Sequence, residues 1–232
     1  MKHHRFIIDF DSSQRQVAIT DKEIINQITH VLRLGKGDSI TLCDGKLTEA
    51  TATIISFDKK SITLAIEHIH VGERESKILA TLYCAILKRE NFELVAQKAT
   101  EIGVSAIVPI ISQRTVKLDL RHERLQKIIK EAAEQSGRTV VPMLHPAISL
   151  KDALEKLPSN HSAFFFDASG EPVKQTAQIT KEISIFIGPE GGWDGSELAL
   201  AKTHHCIIKS LGNLTLRAET AAIIASYLSV NL

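Results

Sequence analysis

From residue 79 onward the chain alternates between two rhythms, and that alternation limits what it can fold into. Strand-length apolar runs cover residues 79–87, 106–111, 163–166, 183–187 and 206–209. Between them lie stripes with helical spacing. Phe92, Val95, Ala96, Ala99 and Ile102 form one, ending at Gly103, and Leu125, Ile128, Ile129 and Ala132 form another, ending near Gly137. Shorter helical segments fit 150–157 and 196–202, and 218–230 closes the chain. Strand and helix in strict succession predict a parallel sheet covered by helices.

Residues 1–72 have a different rhythm. Strands are expected at 5–10, 39–43, 47–57 and 61–66, with a tight turn at Asp44-Gly45. One helix interrupts them. Thr20 or Asp21 caps it, Ile24, Ile25, Ile28, Val31 and Leu32 make its apolar face, and Gly35 stops it. Short strands around a single helix suggest a small barrel. Residues 71–77 are polar and aperiodic, and read as the linker between a domain at 1–72 and a second at 73–232.

Composition removes several function classes. With 44% hydrophobic residues the chain has enough apolar area for a packed core. No apolar run approaches the ~20 residues of a membrane-spanning helix, and the start has no secretory apolar core. The 28 Lys and Arg against 27 Asp and Glu leave a net charge of +1, so any nucleic-acid contact must come from a local basic face. Cys43, Cys84 and Cys206 stand far apart without CxxC spacing, which fits free thiols in the cytoplasm. The adjacent pairs His3-His4 and His204-His205 point apart on either kind of element, so no metal site is expected.

Two glycine loops carry the chemistry. In open parallel sheets ligands bind beyond the carboxyl ends of the strands. Gly188-Pro189-Glu190-Gly191-Gly192-Trp193 follows one strand, and Leu211-Gly212-Asn213-Leu214-Thr215-Leu216-Arg217 runs from another to the last helix. Glycines let main-chain groups approach a ligand closely; each loop taken alone also reads as an ordinary tight connection. Neither GxGxxG nor GxxxxGK[ST] is present, and Glu190 would repel phosphate. A neutral or cationic small molecule fits better than a polyphosphate. S-adenosylmethionine, with its sulfonium and adenosine, meets that description.

The chain resembles the RsmE-type 16S rRNA uridine-N3 methyltransferases of the SPOUT, or trefoil-knot, superfamily. The matching segments are His3-His4-Arg5-Phe6, His30-Val31-Leu32-Arg33 with Lys36-Gly37-Asp38, and Gln97-Lys98-Ala99-Thr100-Glu101-Ile102-Gly103-Val104. Glu131-Ala132-Ala133-Glu134-Gln135-Ser136-Gly137-Arg138, the 187–193 segment and Leu216-Arg217-Ala218-Glu219-Thr220-Ala221 complete them. One departure is Asn213-Leu214, where many relatives carry Pro-Arg; it removes a cation beside the cofactor loop. The resemblance implies a PUA-like barrel followed by a SPOUT α/β-knot domain with a mainly parallel sheet. It also implies a homodimer that binds S-adenosyl-L-methionine and methylates 16S rRNA of the small ribosomal subunit.

On that resemblance Gly188, Pro189, Glu190, Gly191, Leu211, Gly212, Leu214, Leu216 and Thr220 are the expected cofactor contacts. Methyl transfer to uracil N3 needs a group that stabilises the anionic ring or removes its proton. Arg217, Arg138 and Gln135 are the candidates, although the last two read equally as capping residues. Arg5, Arg33, Lys88 and Arg89 are the expected RNA contacts. Residues 88–130 hold nine cations (Lys117 among them) against five acids, an excess compatible with phosphate contact or with a solvated helix face. Trp193 reads as a packing residue. Two alternatives remain open at this level: a SPOUT enzyme acting on tRNA or ribose 2′-hydroxyl, and a catalytically silent RNA-binding protein.

Overall fold

The computed structural model describes residues 4–116, 119–158, 161–173 and 180–231; His3 and Lys117 lie outside them. Two compact units emerge. The first comprises residues 1–75 together with 133–141, the second 76–132 and 142–232. The expected division into 1–72 and 73–232 misses the 133–141 segment.

In the first unit five strands form one sheet. They are β1 (His4–Ile7), β2 (Gln16–Ile19), β3 (Ser39–Cys43), β4 (Thr48–Phe57) and β5 (Ile62–Val71), in the order β1-β3-β4-β5-β2. Only β1–β3 is parallel. Register shifts at Thr51/Ala52 and Ile54/Ser56 bend the long β4–β5 hairpin, as bulges do. Phe6, Ile40, Leu42, Ile54, Ile62 and Leu64 fill the core beneath it.

The helix of this unit, α1 (Lys22–Asn26), begins where the sequence predicts. The Asp21 carboxylate accepts from the amides of Glu23 (2.8 Å) and Ile24 (3.1 Å). It then widens into a π turn over Gln27–Val31, with the Leu32 amide donating to the Gln27 carbonyl five residues back. The wider turn rotates the apolar stripe. Ile24 and Ile28 stay buried, but Val31, expected on the same face, is 67% exposed.

The polar 71–77 stretch is not a bare linker. The Glu75 carboxylate accepts from Arg138 Nε (3.1 Å) and Nη2 (2.7 Å) and from the amides of Thr139 (2.9 Å) and Val140 (3.0 Å). These bonds, with the Lys46–Val140 bridge, tie the 133–141 segment into the first unit.

The second unit carries the predicted parallel sheet. Its strands are β6 (Leu79–Ala85), β7 (Ala106–Ile111), β8 (Met143–Leu144), β9 (Ile148–Ser149), β10 (Ser162–Pro172), β11 (Glu182–Ile187) and β12 (Ile207–Ser210). The order is β12-β10-β11-β6-β7-β8, with β9 also on β7, and every ladder is parallel. Strands covered on both faces are buried almost throughout, as in β11 and β7. The helices are α2 (Arg89–Ile102), α3 (His122–Ser136), α4 (Leu150–Glu155), α5 (Gly195–Thr203) and α6 (Ala218–Val230). The α6 helix packs on α2, β6 and β11.

Candidate functional site

The strand order reverses at β6. From β6 the chain steps to β7 on one side, whereas β11 returns to flank β6 on the other. A crevice forms outside the carboxyl ends of strands at such a reversal. The 188–193 loop leaves β11 there, and residues 86–88 leave β6 beside it.

The sequence around that loop fixes its shape. The Gly192 amide donates to the Pro189 carbonyl (2.9 Å), closing a turn. Glu190 reaches across to β6, its carboxylate accepting from the Lys88 amide (3.2 Å). Arg114, just past β7, donates to the Gly191 carbonyl (2.9 Å) and pairs with Asp194 (3.3 Å). Trp193 is buried, stacks on Phe165 with ring centroids 4.3 Å apart, and donates its indole N–H to the Phe166 carbonyl of β10 (2.9 Å). A Cβ at Gly188 would lie 3.0 Å from the Trp193 ring, so a side chain there requires the ring to give way.

Beyond the loop, Asp194 and Glu197 form a capping box that starts α5. Buried Glu197 also accepts from the Gln113 amide (2.8 Å). The loop is therefore held from β6, β7, β10 and α5 at once.

The second loop runs from one edge of the sheet toward its middle. It leaves β12, yet α6, which it feeds, packs against β11 and β6. Residues 211–217 must therefore cross the carboxyl end of β10 to reach the crevice. Gly212 turns with φ +119°, a conformation that favours glycine, and the space its Cβ would fill is open. Leu211 and Leu216 are half-buried, Leu214 is exposed, and Thr220 sits half-buried in the first turn of α6. Arg217 is the N-cap residue of α6, exposed and without an ion-pair partner among the described residues. A cation at a helix N-terminus opposes the helix dipole, so helix stability gives no reason for it.

The other candidates fall elsewhere. Arg138 is buried, and its guanidinium is taken up by Glu75. Gln135 is exposed in the last turn of α3 and, like Arg138, belongs with the first unit. Arg5 is not the surface cation the sequence suggests: its side chain is 11% exposed, paired with Glu49 and 3.4 Å from the Arg138 carbonyl. Arg89 pairs with Glu93 (3.3 Å), which also binds Arg124 (2.6 Å). With Lys98 on Glu101 and Arg114 on Asp194, four of the nine cations are held in ion pairs, although only Asp194, from outside the stretch, offsets its basic excess. Arg33 and Lys88 are exposed without ion-pair partners among the described residues.

Sequence reasoning missed Gln113 and Glu197 and cast Arg114 only as one charge in a basic patch. Their signal was weak, because a loop brace is defined by a partner some eighty residues away. No thiol offers a nucleophile. Burial pushes Cys43 up to about 12 and Cys206 up to about 11, and raises Cys84 beside β11 as well.

Comparison with known proteins agrees with this geometry. A family described as the RNA methyltransferase domain matches residues 74–229, and an RNA methyltransferase PUA domain matches 19–67. A ribosomal RNA small subunit methyltransferase E from Neisseria gonorrhoeae, solved bound to S-adenosyl methionine, is 31% identical. The alignment covers 97% of this chain and 95% of that one, with a TM-score of 0.89. Proteins of the same name from Rickettsia conorii and Bacillus subtilis are each 29% identical, over 97% and 95% of this chain and 94% and 93% of theirs.

Proposed function

Since the chain belongs to the ribosomal RNA small subunit methyltransferase E family, we propose that it methylates N3 of one uridine in 16S rRNA, using S-adenosyl methionine. The observation that carries the reading is the braced 188–193 loop at the sheet reversal, approached by the 211–217 loop.

The residues present fit that cofactor. The Cβ positions of Gly192 and Gly212 face open space, so main-chain groups line the crevice without side chains filling it. Leu211 and Leu216 offer apolar surface, and Glu190 supplies a carboxylate suited to a cation rather than a phosphate. Main-chain groups of Gly188, Glu190, Gly191, Leu211, Gly212 and Leu216 would hold it, with Pro189, Leu214 and Thr220 at its border. When bound, S-adenosyl methionine supplies a methyl group on a positively charged sulfur.

Uracil N3 must lose its proton, and the negative charge then spreads over N3 and the two ring carbonyl oxygens. Arg217, at the start of α6 with no carboxylate to neutralise it among the described residues, is the group that stabilises this charge. The braces from Arg114 and the Lys88 amide keep the loop in one shape, so little reorganisation is needed before reaction. Arg33 and Lys88 supply phosphate contacts.

Further parts of the reading are that the enzyme works in the cytoplasm, where ribosomes are, on the assembled small subunit, and as a homodimer. Exposed Ile224 and Tyr227 on α6 and Leu94 on the adjoining α2 support the dimer. Mapping the methyl group on rRNA treated with the purified protein tests the activity.

A further inference from the structure

Outside the cofactor loops, the first unit holds a cavity of about 570 Å³. That volume lies within the ~300–1,000 Å³ of small-ligand sites. At its heart the Glu49 carboxylate, with its side chain 9% exposed, is shared between Arg5 and His70 Nε2 (2.7 Å). Leu32 supplies apolar lining, and Gln27, Thr51, Arg74 and Gln135 supply polar groups.

The charges decide what class of ligand fits. Two carboxylates, Glu49 and Glu134, face two guanidiniums, Arg5 and Arg74. Glu49 is already committed to Arg5 and His70, and Glu134 accepts from the Ile7 amide (2.7 Å). A metal ion would find no free carboxylate, and an anion inside would find Arg5 already paired with Glu49. What remains is a neutral molecule with both donors and acceptors. Gln27 and Gln135 carry side-chain amides, which both donate and accept and so can read the edge of a nucleobase. Neither has a side-chain hydrogen bond among the described residues. Arg74 is exposed and also lacks an ion-pair partner among them, so it is available to a phosphate outside the cavity.

We propose that this cavity takes one unpaired nucleotide of the RNA substrate, with the base inside against Leu32 and the amides of Gln27 and Gln135 and the phosphate outside on Arg74. Hydrogen bonds to the exposed edges of unpaired bases are one way single-stranded RNA is read. The Arg5–Glu49–His70 network holds the polar wall in one arrangement before RNA arrives. The inference rests on the substrate being RNA, as proposed above.

The test uses the full chain and two RNAs, a hairpin with a single unpaired 2-aminopurine and a fully paired duplex of the same stem. The wild type is expected to bind the hairpin about tenfold tighter than the duplex and to change the 2-aminopurine fluorescence. Thr51→Trp fills the cavity from β4. It should reduce hairpin affinity to the duplex level and abolish the fluorescence change, while duplex and S-adenosyl methionine affinities stay unchanged. A folded Thr51→Trp protein that binds the hairpin like wild type overturns the proposal.

Should that variant not fold, photocrosslinking of wild type to a hairpin with 4-thiouridine at the unpaired position decides. Adducts on Gln27, His70, Arg74 or Gln135 support the site, and adducts confined to other residues overturn it. Methyl transfer by a wild type that shows no adduct in the cavity removes this site and leaves the methylation reading standing. A wild type that binds neither RNA overturns this site, and the methylation reading is then decided on assembled small subunits.

Discussion

Replacing Glu75 by glutamine should destabilise the first unit more than any exposed ion-pair mutation in the chain. The carboxylate takes two bonds from the Arg138 guanidinium and one each from the amides of Thr139 and Val140. The two side chains are 17% and 8% exposed, so water replaces little of what is lost. Removing the charge of one member of a pair this buried, with its hydrogen bonds, costs about 3 kcal/mol. For a chain of this length that is roughly 6–12 °C of melting temperature. Alanine should cost more than glutamine, because glutamine keeps an oxygen for one of the amides.

The pH dependence follows from the same contacts. Burial pushes the Glu75 carboxyl up, but the Arg138 bonds and charge and the two amides outweigh it, so the net shift is downward. A carboxyl lowered on folding stabilises the protein above its unfolded value, about 4.3, and that gain fades as the pH falls through the folded value. Urea unfolding by circular dichroism should show the full gap between wild type and Glu75→Gln at pH 7, shrinking below about pH 4. A gap under about 1 kcal/mol at pH 7, the scale of an exposed pair, would refute the argument.

Gly188→Ala should displace the loop, because Trp193 is pinned to Phe165 and Phe166 and cannot yield to a Cβ at 3.0 Å; calorimetry is expected to show weakened cofactor binding in a folded protein. Gly191→Val meets only the Arg114 side chain at 3.5 Å and should fold, yet lose cofactor affinity, in the same assay. Arg217→Ala should lower kcat about 100-fold in methyl-transfer assays while changing RNA affinity little, as for loss of one charge-stabilising group. Arg33 has φ +55°, so Arg33→Gly should keep or raise thermal stability while weakening RNA binding and lowering its salt slope by about 0.7–0.9, which filter binding across salt concentrations checks.

What the sequence makes legible is what is local. The α6 helix falls at 218–230 as expected, because its apolar run begins just past a polar loop. The α2 stop at Gly103 and the π-turn helix's start at Asp21 were equally readable, since a glycine end and an aspartate cap act within one turn. Strand β2 was not read, because Gln16–Ile19 is a short edge strand whose only argument is pairing with β5. The 133–141 segment looked like an ordinary helix end, and its place in the first unit depends on Glu75, more than fifty residues away.

The site divides the same way. Both glycine loops were visible from their position after strands. The arginines were visible as charges, but not as partners: Arg5 and Arg138 are neutralised by Glu49 and Glu75, 44 and 63 residues distant in sequence. Charge counting along the chain cannot tell such a cation from Arg217, which no described carboxylate neutralises.

Methyl transfer to uridine N3 is tested most directly on small ribosomal subunits. Small subunits from a strain lacking this enzyme are incubated with the purified protein and S-adenosyl methionine. The 16S rRNA is then digested for nucleoside mass spectrometry and copied by reverse transcriptase. N3 lies on the Watson–Crick edge, so a methyl group there blocks pairing. The expected result is one new methyluridine that coincides with a stop in the copied strand. A methylated ribose that the polymerase reads through, or no methyl transfer by the folded protein, would contradict it.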